Sequence, residues 1–281
     1  MPIYRERYRR RESGLDFRGR AWVVIAAFGL RALTRHKAFL FLLILGWIPA
    51  VVRGVLMYAA ANIPQASFLA TTAQTFRDFL SQQEPFVFFI TVYAGSGLIA
   101  DDIRSNALQL YLSRPLTRTQ YAAGKFAILA TALALVTWLP AMVLLIVQVL
   151  FAGSVTFLRS NLYLLPAISL FSIVQIVVAT FIMLALSSLS KSRWFVAVMY
   201  AGISFFTHAV FGATRIATGG GTAFSWISVF ANLMQVGDVI FRLRPRFTGT
   251  PPAVSVAALA IMVAASIVVL SRRIRAIEVV T

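Results

Sequence analysis

Long stretches without a charged residue are the feature that most constrains this chain. The windows 126–158, 160–190, 194–214 and 247–271 contain no Asp, Glu, Lys or Arg, and each exceeds the roughly 20 residues that a helix needs to cross membrane hydrocarbon. They are also too long, and alternate too little, for the strands of an outer-membrane barrel. With 59% hydrophobic and 12% charged residues, the composition lies outside the range of soluble domains. The sequence therefore predicts an all-α integral membrane protein.

Six windows are predicted to cross the membrane, and together they form a single transmembrane domain over 1–281. A basic leader at 1–16 and an amphipathic segment at 17–36 precede them. We expect the second segment to be an elbow helix on the cytoplasmic surface, although an ordinary extension of span 1 is the alternative. The predicted spans 1 to 6 cover 38–60, 86–100, 124–151, 162–189, 194–212 and 253–270.

Basic residues are distributed unevenly along the chain. The formal charge of +17, from 26 Lys and Arg against 9 Asp and Glu, would indicate nucleic-acid binding in a soluble protein. Here the basic residues concentrate before span 1, in the loop after span 2 and behind span 6, which under the positive-inside rule places both termini in the cytoplasm. We predict a multi-pass protein of the cytoplasmic (inner) membrane that contacts anionic lipids and no nucleic acid. The basic residues before span 1 are Arg5, Arg7, Arg9, Arg10, Arg11, Arg18, Arg20, Arg31, Arg35 and Lys37.

The uncharged segment 216–237 leaves a seventh span as an alternative. Its three glycines, Gly219 to Gly221, together with Asn232 and Gln235, make it less favourable in lipid than the other windows. A seventh span would also force one of the two basic termini outside. We therefore expect a re-entrant or interfacial helix on the outer side, ahead of span 6.

The residues needed for most membrane enzymes are missing from the sequence. The chain has no cysteine and only two histidines, His36 and His208, so it offers neither a thiolate site nor a histidine cluster. Gly124-Lys125-Phe126 lacks the spacing and hydroxyl of a nucleotide-binding loop. We predict no catalytic residue, metal site or cofactor in this chain, and we interpret His208 as a hydrogen-bonded residue of the helix bundle.

Three polar residues within the predicted spans are candidates for a translocation path. They are Arg53 in span 1, Gln148 in span 3 and Gln175 in span 4. A charged residue inside a span is costly and is often functional, but Arg53 could also extend to the outer interface. The two glutamines could equally form hydrogen bonds between helices.

The loop 101–118 carries the most information about function. It begins with Asp101 and Asp102, continues through a leucine-rich segment that is compatible with a helix, and stops at Pro115. We expect a short helix at the cytoplasmic surface, with both carboxylates at its N-terminal end, where they complement the helix dipole.

This loop resembles that of the type-2 ABC exporter permeases, six-span membrane subunits that include permeases for copper-enzyme maturation. In that family an acidic residue follows span 2, then come a leucine-rich coupling segment, an Arg-Pro motif and Gly-Lys at the start of span 3. Aspartates replace the usual glutamate here, and Ser105-Asn106-Ala107 replaces the common Gly-Thr. The matching residues are Asp102, Leu108, Leu110, Leu112, Arg114, Pro115, Leu116, Arg118, Tyr121, Gly124 and Lys125.

The resemblance implies a permease subunit that couples ATP hydrolysis in a separate ATPase to the export or extrusion of a cargo. The implied partners are two ATPase subunits, which bind ATP and Mg, a second permease chain of the same or a related kind, and an extracytoplasmic protein in some family members. Since the predicted spans hold no acidic residue and the chain contains 23 Phe, 8 Tyr and 5 Trp, we expect a hydrophobic or amphipathic cargo. The residues implied for coupling to the ATPase are Asp101, Asp102, Arg104, Leu108, Leu112, Arg114, Pro115 and Arg118.

Other functions stay open at this point. A related ABC membrane subunit could drive assembly, copper-enzyme maturation or motility without exporting a cargo. A membrane-embedded lipid-modifying enzyme and a membrane scaffold are alternatives from other classes, and the shortage of acids and histidines disfavours the enzyme.

Overall fold

A computed structural model describes residues 21–63, 71–107, 117–151 and 161–278. Within these ranges the chain is built from helices and loops and contains no β-strand. The α-helices are α1 (Ala21–Thr34), α2 (Lys37–Asn62), α3 (Ala73–Gln82), α4 (Glu84–Ile90), α5 (Gly97–Arg104), α6 (Arg118–Ala134), α7 (Trp138–Phe151), α8 (Leu164–Leu189), α9 (Arg193–Ala201), α10 (Thr207–Ala217), α11 (Val229–Ile240) and α12 (Pro252–Glu278).

Six helical segments of the described chain are long and apolar enough to cross a membrane, as the sequence predicted. Successive helices join end to end in three of them, so that α3 to α5 form span 2, α6 and α7 form span 3, and α9 and α10 form span 5. The observed spans are Lys37–Asn62, Ala73–Arg104, Arg118–Phe151, Leu164–Leu189, Arg193–Ala217 and Pro252–Arg275.

Span 2 is much longer than the predicted 86–100. The charges of Arg77, Asp78 and Glu84 end the uncharged window in the sequence, but the helical segment continues through them to Ala73. It can do so because Arg77 and Glu84 are buried by protein, with 0% and 8% of their surfaces exposed. A hydropathy scale alone predicts that a span ends at such residues, because their transfer into lipid is unfavourable.

Span 4 forms the centre of the bundle. In its 18-residue apolar window, 61% of the residues are buried by the rest of the protein, compared with 17% in span 1. A large cluster of buried side chains, including Leu129, Ile182 and Met183, joins span 4 to spans 2, 3 and 5 and to α11. Spans 1, 5 and 6 therefore present most of their apolar surface outward, as expected for helices that face lipid or another chain.

Two π-helical turns interrupt the spans, Thr91–Gly95 in span 2 and Gly202–Phe206 in span 5. Aromatic contacts join the two spans beside these turns, since the ring of Phe88, ahead of the first turn, stacks on Tyr200 with centroids 5.6 Å apart and meets Phe205 of the second turn edge-on at 4.9 Å. Single π-helical turns inside α-helices occur frequently at functional sites. This part of the bundle is therefore a candidate functional region.

The helix predicted at 17–36 is observed as α1, and residues 17–20 lie outside the described ranges. It packs against α6, the first half of span 3. Close approach depends on Gly124, where a Cβ atom would lie 2.7 Å from Cγ2 of Ile25, and on Gly29, where a Cβ would collide with Ile128. Small residues let helix backbones approach in this way within membranes. Placement of α1 on the membrane surface stays a prediction.

The predicted segment at 216–237 does not form a seventh span. Its main element is α11, a helix of 12 residues that is too short to cross a membrane. Most of α11 is buried by protein, and its polar side chains bind backbone carbonyls of the neighbouring loops. Asn232 donates to the carbonyl of Trp226 at 2.7 Å, and Gln235 donates to that of Thr250 at 2.6 Å. The polar residues that weaken this segment as a span thus fix the loops around a short helix.

Candidate functional site

A compact polar cluster joins the end of span 2 to the start of span 3. The carboxylate of Asp102 accepts a hydrogen bond from the hydroxyl of Tyr121 at 2.6 Å and lies 2.7 Å from Nζ of Lys125. The ammonium group of Lys125 also lies over the Tyr121 ring, 5.5 Å from its centroid. The cluster is largely shielded, with 17% of the Asp102 side chain and 13% of the Lys125 side chain exposed.

Local structure explains why these three residues meet. Thr117 caps α6, since its hydroxyl accepts a hydrogen bond from the backbone N–H of Gln120 at 3.3 Å. With the helix start fixed, Tyr121 and Lys125 are separated by four residues and lie on one face of α6. That face is turned toward the last turn of α5, where Asp102 lies.

Span 4 holds the other side of this junction. The hydroxyl of Ser187 accepts hydrogen bonds from the backbone N–H groups of Ile99 and Ala100, both at 3.0 Å, and donates to the carbonyl of Ser96 at 2.9 Å. These backbone groups follow the π-helical turn of span 2, where the regular α-helical pairing is interrupted. One buried serine of the central helix thus fixes the start of α5.

The predicted role of Asp101 and Asp102 at a helix N-terminus is wrong. Both residues belong to the last turn of α5, which ends at Arg104, so the helix dipole disfavours their charges there. Lys125 compensates Asp102, whereas the pair that Asp101 forms with Arg104 at 3.6 Å is largely exposed. The two aspartates, which are equivalent in the sequence, therefore have different surroundings.

The remaining residues predicted for coupling are only partly described. Arg118 is the first residue of α6 and is exposed. Leu108, Leu112, Arg114 and Pro115 lie outside the described residues. The structure thus shows both ends of the loop 101–118, and it brings those ends together through Asp102, Tyr121 and Lys125.

A wide groove of about 1270 Å³ opens beside this cluster. It is bounded by α1, by the C-terminal part of span 2 from Val92 to Asp102, and by the first residues of spans 3 and 5. Phe28 and Trp194 contribute apolar surface, and Asp102, Lys125 and Arg193 contribute charge. A cavity that combines a large apolar wall with a few charged groups suits an amphipathic molecule.

The three predicted path residues do not form one site. Gln148 accepts a hydrogen bond from Thr71 at 2.6 Å, and buried Gln175 donates to the carbonyl of Leu80 at 3.1 Å. Arg53 is partly exposed. Among the described residues there is no hydrogen bond between any two of Arg53, Gln148 and Gln175. The two glutamines therefore bind separate partners on span 2 or just ahead of it.

Glu84 was missed by the sequence analysis. The expectation that the spans hold no acidic residue is wrong, because Glu84 lies within span 2 and is almost fully buried. It lines a small cavity together with Gln175 and Tyr200. Its charge ended the apolar window in the sequence, so no hydropathy signal could have placed it inside a span.

A buried ionic network at the other end of span 2 was also missed. Arg77 lies 2.7 Å from Asp238 and 3.1 Å from Asp78, and it donates to the carbonyl of Met234 at 3.0 Å. Arg246 contacts Asp78 at 2.7 Å and binds Asp238 through its backbone N–H at 3.1 Å. Burial raises the pKa of Asp238 above its ordinary value, and the charges of Arg77 and Arg246 oppose that shift. The network ties span 2 to α11 and to the loop before span 6.

His208 fits the predicted structural role. Its Nδ1 lies 3.1 Å from the hydroxyl of Ser228, and its ring meets Phe230 edge-on at 5.7 Å. The two contacts join span 5 to the N-terminal end of α11, since Ser228 is its N-cap and Phe230 lies in its first turn. Within the described residues no group of three or more His, Cys, Asp or Glu side chains could hold a metal ion.

No protein-family model matches the chain, and no curated protein matches it.

Proposed function

We propose that this chain is the membrane-spanning permease subunit of an ATP-driven ABC transporter. A separate ATPase subunit binds ATP and Mg, and the permease couples hydrolysis to the export or extrusion of a hydrophobic or amphipathic cargo. The observation that carries the proposal is the cluster of Asp102, Tyr121 and Lys125. These residues match the permease pattern on both sides of the loop 101–118, and the fold brings them into direct contact.

The cluster suits a loop that must transmit force. A push on the loop acts on spans 2 and 3 together, because the charge pair and the tyrosine hydroxyl join their ends. Ser187 then connects α5 to the central span through three hydrogen bonds. A loop between loosely packed ends would absorb the same displacement. For coupling, the ATP-bound ATPase pair must favour one arrangement of the spans over the other, since only differential affinity shifts such an equilibrium.

The groove supports the cargo class in this proposal. It opens among α1, span 2, span 3 and span 5, beside the coupling cluster, and combines apolar with charged walls. A molecule with an acyl or aromatic portion and a polar head would match both parts. Movement of α5 changes the shape of this groove directly, because Ser96, Gly97 and Asp101 line it.

The proposed complex contains two permease chains and two ATPases in the cytoplasmic membrane, with both permease termini inside. The weakly buried spans 1 and 5 offer the apolar surface for a second copy or a related chain. The permease itself carries no catalytic residue in this scheme. A transport assay distinguishes export from assembly, copper-enzyme maturation or motility. If the function is export, the purified transporter should move a labelled lipid or drug across the membrane of liposomes.

Co-expression with an ATPase encoded by a neighbouring reading frame tests the proposal. We expect a stable complex whose ATPase rate rises when the permease is present in nanodiscs. Lys125→Met should reduce that stimulation, whereas Lys191→Met, which alters an exposed lysine in the turn between spans 4 and 5, should not. Failure to form a complex would overturn the proposal and leave a scaffold or a lipid-modifying enzyme as the interpretation to test next.

A further inference from the structure

The interior of the bundle contains a carboxyl group that has no ion-pair partner among the described residues. Glu84 is the first residue of α4 and has 8% of its surface exposed. It lines a cavity of about 30 Å³ whose walls come from span 2, span 4, span 5 and α11. Within the described residues Glu84 forms no ion pair.

The nearest basic residue along span 2 is already engaged. Arg77 lies two helical turns before Glu84, and its guanidinium pairs with Asp238 at 2.7 Å and with Asp78 at 3.1 Å. Span 4, which forms one wall of the cavity, has no charged residue between Leu164 and Leu189. A buried carboxylate without a partner costs several kcal/mol. Some positive charge must therefore accompany Glu84 if it is ionised.

The cavity offers oxygen atoms to such a charge. Oε1 of Glu84 and Oε1 of Gln175 are both buried and accept no hydrogen bond from the described residues. Gln175 is held in place by its amide nitrogen, which donates to the carbonyl of Leu80 at 3.1 Å. The hydroxyl-bearing residues Tyr200 and Ser204 complete the polar lining. A carboxylate with neutral amide and hydroxyl oxygens is the donor set that hard cations prefer.

The size of the cavity limits the ligand. Its volume of about 30 Å³ is small, which favours a small ion as the ligand. The single negative charge of Glu84 also matches a single positive charge.

We propose that this cavity binds one monovalent cation, which neutralises Glu84. The charge is supplied either as a proton on the carboxyl group or as an alkali-metal ion held by Glu84 with the oxygen of Gln175. Bound cation holds together spans 2, 4 and 5, whose residues line the cavity. This site is separate from the ATPase-coupling cluster.

Thermal unfolding of the purified chain in detergent tests the proposal without an ATPase, so its outcome is independent of the proposed transporter role. Two series are measured at constant ionic strength: Na⁺ or K⁺ replacing choline at fixed pH, and pH from acid to alkaline in choline alone. We expect the wild-type melting temperature to rise by roughly 2–4 °C with alkali-metal ion or with falling pH. The Glu84→Gln variant, which carries no charge, should lose that response.

Other titratable groups near the cavity are controlled in the same series. Tyr200 shares the cavity, Arg77 and Asp78 precede Glu84 on span 2, and Asp238 faces them from α11. Asp238→Asn should keep the response that Glu84→Gln loses. Equal cation and pH responses in wild type and Glu84→Gln would overturn the proposal.

A second measurement covers the case in which Glu84→Gln does not fold. Infrared difference spectra of the wild type should show a protonated carboxylic C=O band that disappears with rising pH if the ligand is a proton. Equilibrium uptake of radiolabelled Na⁺ or Rb⁺, at one ion per chain, should be seen if the ligand is an alkali-metal ion. Absence of both signals in the wild type would also overturn the proposal.

Discussion

The guanidinium of Arg77 and the carboxylate of Asp238 lie 2.7 Å apart, although these residues belong to span 2 and to the short helix before span 6. Both side chains are almost completely buried, with 0% and 2% exposed. The two charges depend on each other, because removing either partner leaves the other buried and weakly compensated, Arg77 by Asp78 and Asp238 by Arg246. The pair fixes α11 against the bundle in one position.

Replacing Arg77 with methionine should strongly destabilise the protein. We expect a loss of about 3–5 kcal/mol in the free energy of unfolding, because buried Asp238 loses its closest charge partner and keeps only the more distant, half-exposed Arg246 side chain at 3.8 Å and the Arg246 N–H among the described residues. The double variant Arg77→Met with Asp238→Leu should recover much of that loss, which a double-mutant cycle in detergent would measure. Arg215→Met removes an exposed arginine and serves as the control. A single-variant cost as small as that of Arg215→Met would contradict this interpretation of the pair.

The two aspartates that follow span 2 should differ in importance. Asp102→Lys should weaken coupling to the ATPase by about 1–3 kcal/mol, or roughly 5- to 150-fold in complex stability, because it removes the partner of Lys125 and Tyr121. Asp101→Lys should have a smaller effect, since the pair of Asp101 with Arg104 is longer, at 3.6 Å, and largely exposed. ATPase stimulation and co-purification measure both. Partial rescue by the exchange Asp102→Lys with Lys125→Asp would support the direct pair, and equal effects of the two single variants would argue against it.

The packing of α1 on span 3 should be sensitive to a single methyl group. Gly124→Ala places a Cβ 2.7 Å from Ile25 and 3.2 Å from the carbonyl of Trp22, so we expect a cost of about 1–3 kcal/mol from overpacking. Gly212→Ala, in α10, meets no atom within 4 Å and should be neutral or stabilising, because alanine favours helix over glycine. The melting temperatures of the two variants, measured in the same detergent, test whether the packing of α1 on span 3 requires a glycine at position 124. Similar values would show that α1 does not depend on this contact.

Cysteine labelling tests the orientation of the spans, and the chain contains no cysteine of its own. Thr248 is exposed in the loop before span 6, whereas its neighbour Thr250 is buried and hydrogen-bonded to Thr222. We therefore expect Thr248→Cys to react with a membrane-impermeant maleimide in intact cells. Lys191→Cys, in the exposed turn after span 4, should react only after lysis. The reverse pattern would place the N-terminus outside.

The sequence alone determined that this is a helical membrane protein and how many spans it has. Windows of more than about 20 apolar and uncharged residues are typical of spans in hydrocarbon, so the charge breaks at Lys125, Arg159 and Lys191 locate the intervening spans without any knowledge of packing. The uncharged segment that ends in α11 was correctly excluded from the spans because its polar residues weaken it in lipid. The residues Asp102, Tyr121 and Lys125 were also recognised as a pattern, although not as a contact.

Only the tertiary structure decided which charges lie inside the bundle. From the sequence, Arg77 and Glu84 predict the end of a span. A hydropathy scale gives each charged residue the unfavourable free energy of transfer into lipid and takes no account of burial by protein. Both are tolerated inside because other parts of the chain bury them, Arg77 with Asp238 from 161 residues away and Glu84 in a cavity with Gln175. Such partners are far apart in sequence and follow no fixed spacing, so no local pattern could have paired them. Asp101 and Asp102 illustrate the same limit, since their neighbours and not their identity determine which one joins spans 2 and 3.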